Sequence, residues 1–204
     1  LEYSGPVYVP EGIYNVTYWS MDTRDNVEGK HYLNFKVDLS TPRSSVDIDP
    51  EKEEGEWYST PPTVYLYTTH LYSDIFYTWG NSDFALYTVP LTAPEGVNNL
   101  VWYAIDQAGN REVMRNREFM VDTLAPEIEV SISPEEPDGE GGWYTTQPRI
   151  SLSTEDGADL YYSLDGGTMM LYDLPIDILP GEHDLRVTAN DLAGNNAPEQ
   201  RFQF

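Results

Sequence analysis

The sequence predicts an all-β chain of tandem β-sandwiches, on three observations. The 204 residues repeat themselves at a spacing near 85. Their apolar residues fall in short alternating runs broken by Pro, Gly, Asn and Asp, and no stretch holds a helical period for a useful length. Aromatics make up 13% of the chain, with 16 Tyr and 5 Trp, and sheets are where such side chains pack best.

The repeat is carried by four landmarks in one order. Val37-Asp38-Leu39-Ser40-Thr41-Pro42 returns as Val121-Asp122-Thr123-Leu124-Ala125-Pro126, 84 residues on. Trp57-Tyr58 returns as Trp143-Tyr144 after 86, and Tyr87-x-x-Pro90 as Tyr172-x-x-Pro175 after 85. Asp106-Gln107-Ala108-Gly109-Asn110 returns as Asp191-Leu192-Ala193-Gly194-Asn195, again after 85. A third, partial copy precedes them: Tyr3, Pro6, Gly12, Asp22, Asn26 and Phe35 each lie 84 before a counterpart. The domain reading is therefore 1–38 as the second half of a repeat, 39–122 as one complete repeat and 123–204 as another. A period this long exceeds a solenoid unit and suits a small sandwich.

The strongest strand follows Gly96. Val16, Leu100 and Leu185 share one position, Tyr18, Trp102 and Val187 the next but one, then Ser20, Ala104 and Ala189. Period 2 with an apolar or small inward face defines a strand with one side in the core. Residues 62–67 match 148–153, and 75–79 match 160–164, where Asp165-Gly166-Gly167 makes a hairpin turn. Phe35, Phe119 and Phe204 mark the last strand. About seven strands per repeat, all expected antiparallel from the turn spacing, describe an immunoglobulin-like sandwich. Residues 1–38 are expected to supply three or four strands whose inner face (Val16, Tyr18, Leu33, Phe35) is open. That face is expected to pair with a second molecule, forming a dimer, or to pack on the second repeat.

Charge and composition exclude several functions. Asp plus Glu number 35 against 11 Lys plus Arg, a net charge of −24. Nucleic acid binding needs the opposite sign, as does docking on an anionic membrane. No apolar run reaches a membrane span, so membrane insertion is not expected. The absence of Cys removes disulfides, thiolate catalysis and zinc–thiolate sites. Leu1-Glu2-Tyr3-Ser4 shows neither the basic start nor the apolar core of a secretory leader, so a secreted parent implies a processed or excised piece. His31, His70 and His183 fall at non-equivalent positions, and no nucleophile elbow, phosphate loop or His-x-x-x-His occurs. The chain is not expected to be an enzyme.

The Gly-Trp-Tyr-Thr-Thr string at 142–146, Tyr-Tyr-Ser-Leu-Asp-Gly-Gly at 161–167, Tyr-x-x-Pro at 172–175 and Ala-x-Asp-x-Ala-Gly-Asn at 189–195 resemble the bacterial and archaeal immunoglobulin-like tandem repeats of cell-surface and secreted proteins. They are also similar to the immunoglobulin-like modules appended to chitobiase-type glycoside hydrolases. The resemblance covers both full repeats and, more weakly, the half-repeat, whose Asp22-Thr23-Arg24-Asp25-Asn26 lacks Ala-Gly. It implies an extracellular or cell-surface location and a stalk, spacer or adhesion role. The implied partners are other domains of the parent chain and protein or glycan on a surface.

The Asp-x-Ala-Gly-Asn loops admit two readings. In one they are structural, with Gly supplying positive φ and Asp and Asn capping backbone amides. In the other they help bind Ca²⁺, a hard cation suited by carboxylate and amide oxygens. Sandwich topology brings each loop beside the linker that enters its repeat. Asp38 is expected near Asp106 and Asn110, and Asp122 near Asp191 and Asn195, with Asp156 opening at the same end. Such convergence of acids favours a cation, and calcium-stiffened linkers are what the resemblance to adhesin repeats implies. His70 takes the place of an acid at the first linker.

Tyr65, Tyr67, Tyr103, Trp19 and Tyr161 fall on outward strand phases. An exposed aromatic row would stack sugars, the basis of an alternative role as the carbohydrate-binding accessory module of a secreted enzyme. Cross-strand covering of the sheet is the plainer reading. The acidic runs 49–56 and 134–140 occupy one loop in both copies and read as solvated.

Overall fold

The computed structural model describes residues 2–204. It is all-β, with one 3-10 turn at Glu140–Gly142. Each sheet draws its strands from one of three spans of chain. The first holds a hairpin of β1 (Gly12–Tyr18) and β2 (His31–Val37), antiparallel throughout from Gly12↔Val37 to Tyr18↔His31.

The middle span holds β3 (Ser44–Asp49), β4 (Trp57–Tyr58), β5 (Thr63–Thr68), β6 (Asp74–Trp79), β7 (Ala85–Leu86), β8 (Leu91–Thr92), β9 (Gly96–Ile105) and β10 (Arg115–Val121). They form a five-stranded sheet, β4-β10-β9-β6-β7, and a three-stranded one, β3-β5-β8. The last span holds β11 (Glu129–Ser133), β12 (Arg149–Ser153), β13 (Asp159–Leu164), β14 (Met170–Leu171), β15 (Ile176–Asp177), β16 (Asp184–Asn190) and β17 (Gln200–Gln203). Its sheets are β11-β12-β15 and β14-β13-β16-β17.

Contacts gather the chain into two compact units. One comprises Leu1–Asp47, Tyr65–Pro90 and Leu100–Asn116; the other comprises Ile48–Val64, Leu91–Asn99 and Arg117–Phe204. In the first, Ile75 and Thr78 of β6 and Leu100, Trp102 and Ala104 of β9 are buried. This unit also holds a polar network. The Glu112 carboxylate accepts from the Ser44 N–H (3.1 Å), the Ser44 hydroxyl, the Ala104 N–H (2.8 Å) and Arg115 Nε (3.3 Å). Trp102 Nε1 donates to Ser44 Oγ at 3.0 Å.

In the second unit, the last span is a sandwich whose two sheets share one core. Ile150 and Leu152 of β12 pack with Leu160 of β13, with Leu185, Val187 and Ala189 of β16, and with Ile178 and Ala197. The inward face expected after Gly96 is thus the buried face in both full copies: Leu100, Trp102 and Ala104, then Leu185, Val187 and Ala189. Asp165-Gly166-Gly167 turns as expected, with Gly166 at φ 72° and the Gly167 N–H donating to Leu164 O at 3.0 Å.

Two expectations are corrected. The strands are not all antiparallel, because β10 pairs with β4 in parallel through Met120↔Trp57 and Val121↔Tyr58. Asp122 extends that ladder by donating its N–H to Tyr58 O at 2.9 Å. Chain direction at a pairing between distant strands depends on where connections cross, which turn spacing does not record. Residues 2–38 supply two strands and a Met21↔Val27 bridge, not three or four strands. The inner face of the hairpin stays open, with Val16 37%, Tyr18 53% and Leu33 53% exposed.

Candidate functional site

The Asp-x-Ala-Gly-Asn loops fold from their own side chains. After β9, the Asp106 N–H bonds Asn110 O and the Gly109 N–H bonds Asp106 O, both at 3.1 Å. Gly109 sits at φ 92°, in the left-handed region a Cβ disfavours. Asp106 Oδ1 accepts the Asn110 N–H at 2.9 Å and Oδ2 accepts Asn110 Nδ2 at 3.0 Å. After β16, Asp191 and Asn195 repeat both bonds at 2.8 Å, and Gly194 is again at φ 92°. The β1–β2 turn has the same Asp22–Asn26 bonds at 2.9 and 2.8 Å, with Asp25 at φ 63° where the others have Gly.

Each full-copy loop also grips the chain that enters its repeat. Asn110 Nδ2 donates to Asp38 O at 3.0 Å, and Asn195 Nδ2 donates to Asp122 O at 2.7 Å. A glutamate also holds each linker. Ser40 Oγ donates to Glu11 at 2.8 Å; the N–H and hydroxyl of Thr123 both donate to Glu95 at 3.0 Å. Glu11 and Glu95 are 84 residues apart, but a loop Glu in an acidic chain carries no distinguishing pattern in the sequence.

These bonds bring titratable groups together at both linkers. Asp38, His70 and Asp106 place one ligand atom each within 4.8 Å of one another, as do Asp122, Glu155 and Asp191. His70 Nε2 lies 3.9 Å from Asp38 Oδ2. Asp106 and Asp191 are buried, while Glu155 is exposed. Of the seven residues expected at the site, Asp38, Asp106, Asp122 and Asp191 enter these clusters and Asn110 braces the first. Asn195 braces the second, and Asp156 stays outside. Glu155 supplies that acid, a one-residue slip that exchanges which side chain faces the linker and aligns His70 with Glu155 at the 85-residue spacing. The asparagines act through nitrogen, as struts between linker carbonyl and loop carboxylate.

Burial raises the Asp106 carboxyl. The Asn110 amide and the N–H groups of residues 108–110 outweigh it, and the pKa ends below 3.8. Asp191 is likewise pushed up by burial and pulled further down by Asn195, Gly194 and Ala193. Both are therefore ionised at neutral pH. Three carboxylates gathered at the second linker repel one another unless screened or bridged. A hard cation fits an all-oxygen set, while two carboxylates with an imidazole form a site of different character.

The aromatic row assembles only in part. Tyr65 and Tyr67 stack with centroids 6.4 Å apart and planes 12° apart, and Tyr67 is 50% exposed. Tyr103 is buried, not exposed: the Arg111 guanidinium lies 3.7 Å over its ring, and Phe76 and Phe84 pack on it at 5.6 and 5.0 Å.

No family model matches this chain, and no curated protein matches it. Among solved structures, it is similar to fibronectin(III)-like modules of CbhA from Clostridium thermocellum, at 15% identity and a TM-score of 0.35. That match covers 78% of this chain and 92% of the other. It is also similar to a tetra-tandem repeat in the extending region of a large adhesion protein, at 14% identity and a TM-score of 0.36. There 95% of this chain is covered, and it spans 56% of that protein's length. No helix among the described residues is long and apolar enough to cross a membrane.

Proposed function

We propose that the chain is a non-catalytic set of immunoglobulin-like repeats, divided as 1–38, 39–122 and 123–204, serving as a spacer or adhesion element of an extracellular or cell-surface protein. Its linkers are braced by Asn110 and Asn195 and bind cations. The observation that supports this most is the duplication of the brace: at both linkers an Asn amide holds the carbonyl of an Asp whose carboxylate joins a cluster of ligand atoms. Ca²⁺ is the ion proposed for Asp122, Glu155 and Asp191, with further oxygens from water. Asn195 positions Asp191 there and does not itself ligate.

Thermal melting of the full chain, first stripped with chelator, tests the proposal. Added Ca²⁺ at 100 times its Kd should stabilise by about 2.7 kcal/mol. NaCl at matched ionic strength controls for screening of the −24 charge. Asp191→Asn should remove most of the calcium-dependent rise. Equal melting with calcium and chelator would remove the cation from the proposal and leave the spacer.

A second reading rests on Tyr65 and Tyr67, whose near-parallel rings offer a short stacking platform to a sugar chain. Glycan binding lost in a Tyr65→Ala, Tyr67→Ala double variant would favour the accessory-module role.

A further inference from the structure

The two linker clusters differ in one ligand. Asp122, Glu155 and Asp191 are all carboxylates, while Asp38, His70 and Asp106 include an imidazole. The three residues of the first cluster belong to one compact unit.

The loop that carries His70 matches the loop that carries Glu155. One joins β5 to β6 and the other joins β12 to β13. Tyr72, two residues after His70, sits at φ 59°; Gly157, two residues after Glu155, sits at φ 89°. A left-handed residue at the same place turns both loops, although in the first a tyrosine must adopt a conformation that favours glycine. His70 is therefore presented where the second linker presents a carboxylate. The exchange is one of ligand atom, nitrogen for oxygen, within one frame.

The ligand atoms are close but not joined. His70 Nε2 stands 3.9 Å from Asp38 Oδ2, beyond hydrogen-bonding reach. A tetrahedral zinc ion with bonds of about 2.0–2.2 Å holds its ligands about 3.3–3.5 Å apart, so a shift of about half an ångström closes the gap. Both side chains are partly exposed, which leaves room for that shift. Asp106 is buried and already oriented. Asn110 donates its N–H to Oδ1 and its amide to Oδ2, and the same amide holds Asp38 O. Outer partners of this kind fix a ligand's direction. Asp38 and His70 also line an open hollow of about 650 Å³, which admits water to a fourth coordination position. Arg43 lines it too. Its charge opposes every divalent ion alike and leaves the choice of ion to the nitrogen ligand.

We propose that Asp38, His70 and Asp106 bind a divalent ion of the Zn²⁺ class in preference to Ca²⁺, with water completing a tetrahedral set. An imidazole nitrogen suits Zn²⁺, whereas Ca²⁺ takes about six to eight oxygens. The two linkers then differ in the ion each selects. The inference rests on the cation reading of the linkers and adds the identity of the ion at the first.

The test titrates Zn²⁺ into the full chain, first stripped with chelator, at about 0.15 M NaCl and with Ca²⁺ in excess to screen and occupy other carboxylates. The imidazole nitrogens are followed by ¹⁵N NMR. Saturation at about one equivalent is expected, with Nε2 of His70 shifted and His31 and His183 unmoved. His70→Ala should weaken Zn²⁺ binding by about tenfold or more, the least that losing even an outer partner of a metal does. The calcium response that depends on Asp191 should survive that change. His70→Glu, which copies the second linker's ligand set, should lose the preference for Zn²⁺ and take up Ca²⁺. Shifts shared equally among the three histidines, or affinity unchanged in His70→Ala, would overturn the proposal as adventitious binding to an acidic chain. If His70→Glu takes up Ca²⁺ while the native chain holds no Zn²⁺, the choice of ion fails and the cation reading stands. If neither chain binds either ion at this linker, the cation reading of that linker fails as well.

Discussion

Glu112 and His183 show how much depends on single polar groups here. Glu112 is 8% exposed, and its carboxylate accepts four donors from Ser44, Ala104 and Arg115. Its counterpart 85 residues on is Ala197, which has no carboxylate but keeps the shared backbone bond, Ala197 N–H to Ala189 O at 2.8 Å. Removing the carboxylate would leave several buried donors unpaired, so Glu112→Ala should cost about 3 kcal/mol, read from the urea midpoint. His183 faces acceptors with both ring nitrogens, Asp165 Oδ2 and Leu179 O, each at 2.8 Å. Only the imidazolium satisfies both. The Asp165 bond raises the His183 pKa, against burial and with help from Leu179 O. A raised folded-state pKa stabilises fully below the unfolded value of about 6.5 and is lost as pH climbs through the folded value. The stability gap between the native chain and His183→Gln should therefore shrink from pH 6 to pH 9, and an NMR titration should place the His183 midpoint above 6.5. A midpoint at or below 6.5 would contradict this account.

Among the elements, the β1–β2 hairpin differs most from its counterparts. Leu100 and Leu185 are 0% exposed, yet Val16, at the same repeat position, is 37% exposed. Two strands joined by one turn are marginal in water. The Tyr14–Phe35 stack at 5.4 Å and the Tyr18–His31 stack at 5.1 Å join its two strands across the open face, beside the antiparallel ladder. Amides of β1 and β2 should exchange hydrogen orders of magnitude faster than those of β13 and β16, whose side chains line a closed core. Comparable protection would mean that the hairpin has acquired a covering partner. The hairpin strand itself was legible in the sequence, because period-2 alternation is a local property. The parallel β4–β10 pairing was not legible, since two residues beside Pro- and Glu-rich chain carry no sign of which distant strand they join.

For the molecule as a whole, repetition made the fold and the nearness of the linker acids to the loop acids readable. A single copy of Asp-x-Ala-Gly-Asn reads as one more turn; two copies at one spacing, each with an Asp-bearing linker, set Asp38 beside Asp106 and Asp122 beside Asp191 on sequence grounds alone. Glu155, and not the expected Asp156, joins the second cluster, at a loop where an indel makes the repeat alignment ambiguous by one residue. The net charge of −24 gives these linkers a particular setting. Acids are abundant everywhere, so the distinguishing feature is the pair of asparagines that orient a chosen few. The parallel pairing of β4 with β10 carries a further consequence. If the chain is pulled at Asp38 and Asp122, tension reaches these two strands from opposite ends. Their bonds, with the Asp122–Tyr58 bond beside them, are then loaded sideways and must rupture together. A sandwich fastened in this way resists stretching better than one whose border peels open a bond at a time.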